Sequence, residues 1–166
     1  MFMSKLIFNV VELENSLDYN LILAQSHFIK TVEDVHELIV NSVPGAKFGL
    51  AFNEASGPRL IRKSGTEAKL VKEAVRLAQL IGSGHLLVIV MGNVYPINIL
   101  PQLKQVPELV NIFCASANPV QVVVAESDQG RGVMGVIDGQ GPLGVETDKD
   151  VKERRVFLRK IGYKAG

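Results

Sequence analysis

The sequence predicts an α/β chain of the α+β type: a mixed, partly antiparallel sheet covered by about four helices, in a single domain spanning residues 1–166. Three observations carry this prediction. The runs Ile112–Ala115, Val120–Ala125 and Val133–Ile137 are short, partly β-branched, and closed by polar and glycine clusters, the pattern of successive strands with tight connections. Leu86–Met91 is apolar without alternation, which marks a central strand buried on both faces. Between Ser64 and Ile81 the apolar residues recur at helical spacing. Helices alternate with hairpin-like strand pairs, which disfavours a purely parallel doubly wound sheet.

In chain order, Lys5–Glu14 and Asn20–Phe28 read as strands about an Asn15–Tyr19 turn, the apolar Met1–Leu13 being a first strand rather than a signal peptide. Thr31 as cap, with Glu33 and Asp34 in the first turn to complement the free N–H groups there, opens a helix, and Pro44-Gly45 stops it. Lys47–Ala55 and Arg59–Lys63 read as strands about a Ser56-Gly57-Pro58 turn. Ser64 and Glu67 have capping-box spacing before a helix whose stripe is Leu70, Ala74, Leu77, Ala78 and Ile81, ended by Gly82 and Gly84. Pro96 suits the first turn of a short helix that ends near Pro107. Asp148–Ile161 reads as a charged last helix with Val151, Leu158 and Ile161 inward and Gly162 as its stop. If the three runs after Val110 form a meander, Ser116–Pro119 and Asp138–Gly144 fall at one end of the sheet and Ser127–Gly132 at the other.

Composition narrows the function. Eighteen Lys and Arg against 17 Asp and Glu leave a formal charge of +1, without the basic surplus of a nucleic-acid binder. A single cysteine, Cys114, excludes an internal disulfide framework and fits a reducing cytoplasm. Leu86–Met91 is too short to span a bilayer, so no membrane partner is expected. One cysteine and three scattered histidines give no zinc spacing, and no P-loop motif is present.

The chemistry-bearing residues sit in breaks between apolar runs, as loops presented by a scaffold. Gly130, Gly132 and Gly135, and again Gly139, Gly141 and Gly144, match G-x-G-x-x-G, but neither match is followed by the helix of a dinucleotide site. Each is either an ordinary tight turn or a backbone approach to phosphate, and Arg131 within the first tilts it toward phosphate. His85 lies between a glycine-rich corner and the most buried strand. Position alone favours a histidine hydrogen-bonded at the core edge over a base, acid or phosphoryl acceptor. His27 has a weaker case of the same kind, and His36 reads as a surface residue. Glu54, Ser56, Gly57 and Arg59 surround one turn, where they either hold a ribose and a phosphate or leave Glu54 and Arg59 as a cross-strand ion pair. Asn98 and Asn118 are turn formers or readers of a base edge, and Asp138 is a turn aspartate or a metal–phosphate ligand.

The stretches FGLAFNEASGPRLIR, GSGH, YPINIL, FCASANPVQVVVAE, GRGVMGVIDG, GVE and RKIGYK, with HFIKTVEDVHELI upstream, resemble the adenosine-specific kinase family over most of the chain from Gln25 to Lys164. The resemblance implies an α/β domain that binds adenosine, AMP, ADP or ATP, carries out phosphoryl transfer, and assembles as a homo-oligomer, with a trimer as the candidate size. It places His85, Glu54, Ser56, Gly57, Arg59, Asn98, Asn118, Glu126, Gly130, Arg131, Gly132 and Asp138 on family positions. Asn53 stands where the family pattern carries cysteine, and Leu86 where it carries a more polar residue. The expected mechanism uses His85 as acceptor or base, by way of a phosphohistidine, and Arg131 with the Gly130–Gly132 turn as phosphate clamp. Glu54 and Arg59 support the site, and Asp138 holds Mg²⁺ between the phosphates of ATP. Two rival expectations are a non-catalytic AMP/ATP sensor and a scaffold without a small ligand.

Overall fold

The computed structural model describes residues 5–15 and 17–166; the start of the Met1–Leu13 stretch and Ser16 of the Asn15–Tyr19 turn lie outside the described residues. The strands are β1 (Ile7–Leu13), β2 (Asn20–Ser26), β3 (Phe48–Asn53), β4 (Ile61–Gly65), β5 (Leu86–Met91), β6 (Leu109–Ser116), β7 (Val120–Ser127) and β8 (Gly130–Asp138). The helices are α1 (Thr31–Ser42), α2 (Ala68–Ile81), α3 (Pro96–Leu103) and α4 (Asp148–Lys160). The α+β class with four helices is the expected one. The β-structure forms two sheets, ordered β4-β3-β5-β2-β6 and β1-β7-β8, and each strand pair is antiparallel.

Alternation along the strands builds two cores on the faces of the five-stranded sheet. Ile22, Leu50, Phe52, Leu87 and Ile89 meet Val35 and Ile39 of α1 and Ile99 and Leu103 of α3. Leu21, Leu23, Ala51, Leu86 and Val88 face the other way, against the α2 stripe and against Val120, Val122 and Val124 of the smaller sheet. All six residues of β5 are buried, as their unbroken hydrophobicity predicts for the middle strand.

Helix α2 carries one wall of the site, and two features set its seat. Gly49 of β3 lies directly beneath it, where an added Cβ would stand 2.2 Å from the backbone of Leu70. Glu73, buried in the stripe, receives both Nε and Nη2 of Arg76 at 2.8 Å and the Tyr19 hydroxyl at 3.0 Å. The Arg76 guanidinium, ahead of the opposing effect of burial, holds the Glu73 carboxyl below its usual range.

Several local expectations are corrected. β6 does not continue into a meander with β7; it pairs with β2 at the edge of the larger sheet, and of the last three strands only β7 and β8 pair with each other. Ser64 does not cap α2, because it is a β4 residue with its hydroxyl 2.8 Å from Nδ1 of His36, and Glu67 occupies the N-cap without a side-chain cap bond. His36 is accordingly half-buried, its ring 5.2 Å from that of Phe48, and not a free surface residue. Thr31 is the first helical residue of α1 rather than its cap; its hydroxyl is buried against Ser26 and the carbonyl of Phe28. The inward face expected for α4 is only partly formed: Val151 and Leu158 are half-buried, Ile161 is exposed, and no residue of the helix is fully buried. Among the described residues, no helix is long and apolar enough to cross a membrane.

Gly49→Ala should destabilise the fold by more than about 2 kcal/mol, because backbone rather than a side-chain tip must yield. Gly135→Ala, where an added Cβ meets nothing within 4 Å, should stay within about 0.5 kcal/mol. Urea unfolding of the two variants checks the contrast.

Candidate functional site

β2 and β3 finish, and β4 and β5 begin, at the same end of the larger sheet, which places the β3–β4 turn beside the corner that links α2 to β5. The turn closes with the Arg59 N–H donating to the Ser56 carbonyl at 3.3 Å, and Gly57 at its tip takes φ of 64°. Glu54 accepts from the Leu60 N–H at 2.8 Å and from Nε of Arg62 at 2.8 Å. The Leu60 N–H, followed by the Arg62 guanidinium, lowers its carboxyl pKa despite some desolvation. The expected Glu54–Arg59 pair is therefore replaced by Glu54–Arg62. Arg59 adopts a left-handed φ of 51°, lines the cleft described below, and takes part in none of the salt bridges among the described residues.

The corner is Gly82-Ser83-Gly84. Gly82 caps α2 in the left-handed conformation at φ of 66°, as a glycine stop predicts. Asn53, buried at the end of β3, donates Nδ2 to the carbonyls of Ala78 at 3.0 Å and Ser83 at 2.9 Å. Two carbonyl partners fix which side of the amide carries nitrogen. Its Oδ1 is buried without a hydrogen-bond partner. From the other side, Ser83 makes a parallel bridge to Arg131 at the start of β8, and its hydroxyl donates to the Arg131 carbonyl at 3.1 Å. The Arg131 side chain then folds back. Nε donates to Glu126 at 3.1 Å, and Nη1 to the carbonyls of Leu80 and Ile81 at 3.3 and 3.5 Å, so the guanidinium caps the negative end of α2.

These elements enclose a cleft of about 820 Å³, walled by the β3–β4 turn with Glu54 and Arg59, the Gly82–Gly84 corner, and the β7–β8 turn with Gly130, Arg131 and Gly132. A slot of about 210 Å³ adjoins it between the two sheets, lined by Gln25, Leu86, Phe113 and Val133 and sharing Ser83, Gly84, Arg131 and Gly132 with the cleft. The larger volume lies within the range for small-ligand sites; the smaller is below it.

Not every predicted site residue is here. Ser56 and Gly57 form the tip of the turn without lining the cleft. His85 follows Gly84 by one residue, but its ring stacks on Phe52 at 5.9 Å and meets His27 edge-on at 6.1 Å. Phe52 belongs to the α1–α3 core, so the imidazole is on the opposite side of the sheet from Arg131. Asn98 follows the far end of β5, where its Oδ1 accepts from the Tyr95 N–H at 3.1 Å. Asn118 and Asp138 are also at the far end, because Val120 pairs with Asp138 while Ser127 pairs with Gly130. There Asp138 accepts from Ser116 and from Asn118, whose Nδ2 is 3.3 Å away. Among the described residues, no group of three or more His, Cys, Asp or Glu is gathered to hold a metal ion. Asp138, already engaged and remote from both guanidinium groups, does not fit a protein-held Mg²⁺ of the cleft.

Sequence reasoning gave Ser83 and Gln25 no role and marked Asn53 only as a departure from the family pattern. A polar residue ending a fully buried strand was the available signal for Asn53; Ser83 and Gln25 owe their places to the packing of two sheets and had no local signal. Asn53→Asp would aim a buried carboxylate at two carbonyls. It should cost about 3 kcal/mol or more at neutral pH. Burial would raise the folded pKa of the introduced group above its unfolded value, so part of the loss should be regained as pH falls through that raised pKa. Urea unfolding from pH 7 to pH 4 reads this.

No curated protein matches the chain. The family model described as "Adenosine specific kinase" matches residues 11–164. The crystal structure of the PH1918 protein from Pyrococcus horikoshii OT3 shares the fold with a TM-score of 0.92 at 42% sequence identity, covering 98% of this chain and 100% of that one. With the family pattern running through nearly all of its elements, the chain belongs to the adenosine-specific kinase family.

Proposed function

We propose that the chain binds adenosine or an adenine nucleotide in the cleft between the two sheets and transfers a phosphoryl group, in keeping with its family. The observation that carries this reading is the pairing of two guanidinium groups, Arg59 and Arg131, across a nucleotide-sized cleft. Arg131 spends Nε and Nη1 on the protein, so its part is to shape the wall and offer Nη2. Arg59, outside any ion pair among the described residues, is the stronger candidate for the phosphate clamp. The Gly130–Gly132 turn keeps side chains away from that approach.

For the transfer itself, His85 is the imidazole nearest the cleft along the chain. An unprotonated ring nitrogen would attack the terminal phosphorus of ATP, the bond to the bridging oxygen would break, and ADP would leave with that electron pair. The terminal phosphate would have to cross the Gly82–Gly84 corner to reach it. That requirement favours a second reading, an AMP/ATP sensor without turnover. Glu54 in the cleft wall and Glu126 beside the wall residue Arg131 are already held by Arg62 and Arg131, so neither is a free base.

Arg59→Ala should weaken ATP binding about tenfold or more while leaving adenosine binding nearly unchanged, as calorimetry would show. His85→Asn should keep binding within about tenfold but lower turnover by roughly 10²-fold or more, with loss of an acid-labile label from γ-labelled ATP. Turnover that survives in His85→Asn removes the phosphohistidine. A wild type that binds AMP and never turns over replaces the kinase by the sensor.

The second part of the proposal is a homo-oligomer, a trimer being the candidate. Leu143 and Val145 before α4 are 106% and 93% exposed, and Phe157 on α4 is 57% exposed, so much of the apolar surface of this C-terminal arm is uncovered. Phe8, Val10 and Met134 of the smaller sheet are also exposed. Apolar surface on this scale marks an interface. Light scattering should give a multiple of the chain mass at micromolar concentration, and Phe157→Glu should lower it; a monomeric wild type contradicts the assembly.

A further inference from the structure

Resting on the proposal that an adenine compound occupies the cleft, we infer that the slot between the sheets is the seat of the base and that Gln25 reads its edge. The cleft and slot differ in chemistry. The cleft holds Arg59, Glu54 and the polar turns, whereas the walls of the slot are Leu86, Phe113 and Val133. Leu86 is wholly buried, and Phe113 and Val133 pack half-buried against the same core. At about 210 Å³ the slot is too small for a nucleotide and suits one flat ring system. Gly84 and Gly132 line both slot and cleft, so backbone borders the passage between them. Arg131 stands at the junction, which places sugar and first phosphate beside its Nη2 and the remaining phosphates toward Arg59.

Gln25 supplies the polar group such a seat needs. It is paired in β2 between Leu86 of β5 and Asn111 of β6, on the face that carries Leu21 and Leu23 toward the smaller sheet. Its side chain is exposed at the slot. One amide offers a donor and an acceptor together, the pair that adenine presents in reverse through its ring nitrogen and exocyclic amine. Asn98 and Asn118, the amides expected from the sequence to do this, are committed at the far end of the sheets.

A carboxylate at the same position accepts only. It would face the adenine ring nitrogen as one acceptor against another, but would suit the two adjacent N–H donors of guanine. Calorimetry with AMP and GMP on wild type, Gln25→Glu and Val133→Phe tests this. Gln25 is exposed, so its variant should fold as wild type, and melting curves check that. Gln25→Glu should lower AMP affinity about tenfold or more and move the AMP-to-GMP ratio toward GMP. Val133→Phe, which fills the slot, should weaken both by a similar factor. If AMP binds all three proteins equally, the base sits elsewhere and the inference falls while the adenine reading stands. If wild type binds neither AMP nor adenosine, both fall together.

Discussion

Ser83 joins the two sheets at the end that carries the cleft. Its carbonyl is held by Asn53 of the larger sheet at 2.9 Å, and its hydroxyl reaches the Arg131 carbonyl of the smaller sheet at 3.1 Å. Beside it the sheets meet through apolar side chains, which attract without fixing a register, and a further polar tie, Ser116 to Asp138, is at the far end. The directional bonds at Ser83 supply that register, and they do so where α2 has just ended at Gly82. Helix end, strand β5 and strand β8 are thereby tied to one residue. The cleft exists because the chain on either side of this tie, the β3–β4 turn and the β7–β8 turn, projects past it.

The elements themselves were legible because each has a local cause. The α2 stripe needs only helical periodicity, and all five residues assigned to it are buried. Gly82 needs only the left-handed conformation of a helix stop. β5 shows its central place by lacking any polar face. The sheet partition had no such cue. β6 and β7 are adjacent in sequence and both apolar, yet the Ser116–Pro119 link carries the chain from one sheet to the other instead of turning back. Asp138 shows why: it accepts from Ser116 and Asn118 and fixes that link as a crossing, through contacts 20 or more residues apart. Capping suffered from the reverse error. Ser64 and Glu67 have the right spacing, but strand pairing of Ser64 with Leu50 outweighs one side-chain bond.

The site was legible in part for the same reason. Glu54, Arg59, Gly130, Arg131 and Gly132 come from turns at one end of their sheets, and the structure brings them to one cleft. Asn98, Asn118 and Asp138 have equal chemical promise in sequence, but strand direction sends them to the other end. Loop composition reveals capacity, whereas strand count and sheet order decide location. Arg131 adds a second lesson. In sequence it is a free guanidinium in a glycine turn; in the fold much of its donor capacity is spent on Glu126 and on the α2 carbonyls.

Backbone strain separates the residues at this end further. Arg59 and His85 both take left-handed φ, at 51° and 59°, a conformation that costs a residue with a Cβ about 1 kcal/mol or more. At His85 the surroundings repay that cost: its N–H donates to Asn53 at 2.8 Å, its carbonyl accepts from Ser26 at 3.0 Å, and its ring lies on Phe52. The conformation follows from holding β2, β3 and β5 together, which is a structural use in itself. At Arg59 the compensation is thin, a 3.3 Å turn bond to Ser56 and a side chain outside any ion pair among the described residues. The β3–β4 register sets Arg59 opposite Ala55, on the other strand face from Glu54, so Arg62, which shares the Glu54 face, takes that carboxylate. The left-handed turn leaves Arg59 on the cleft wall as a positive charge outside any ion pair among the described residues. A charge so placed gains most when an anion enters, since it need not first abandon a carboxylate.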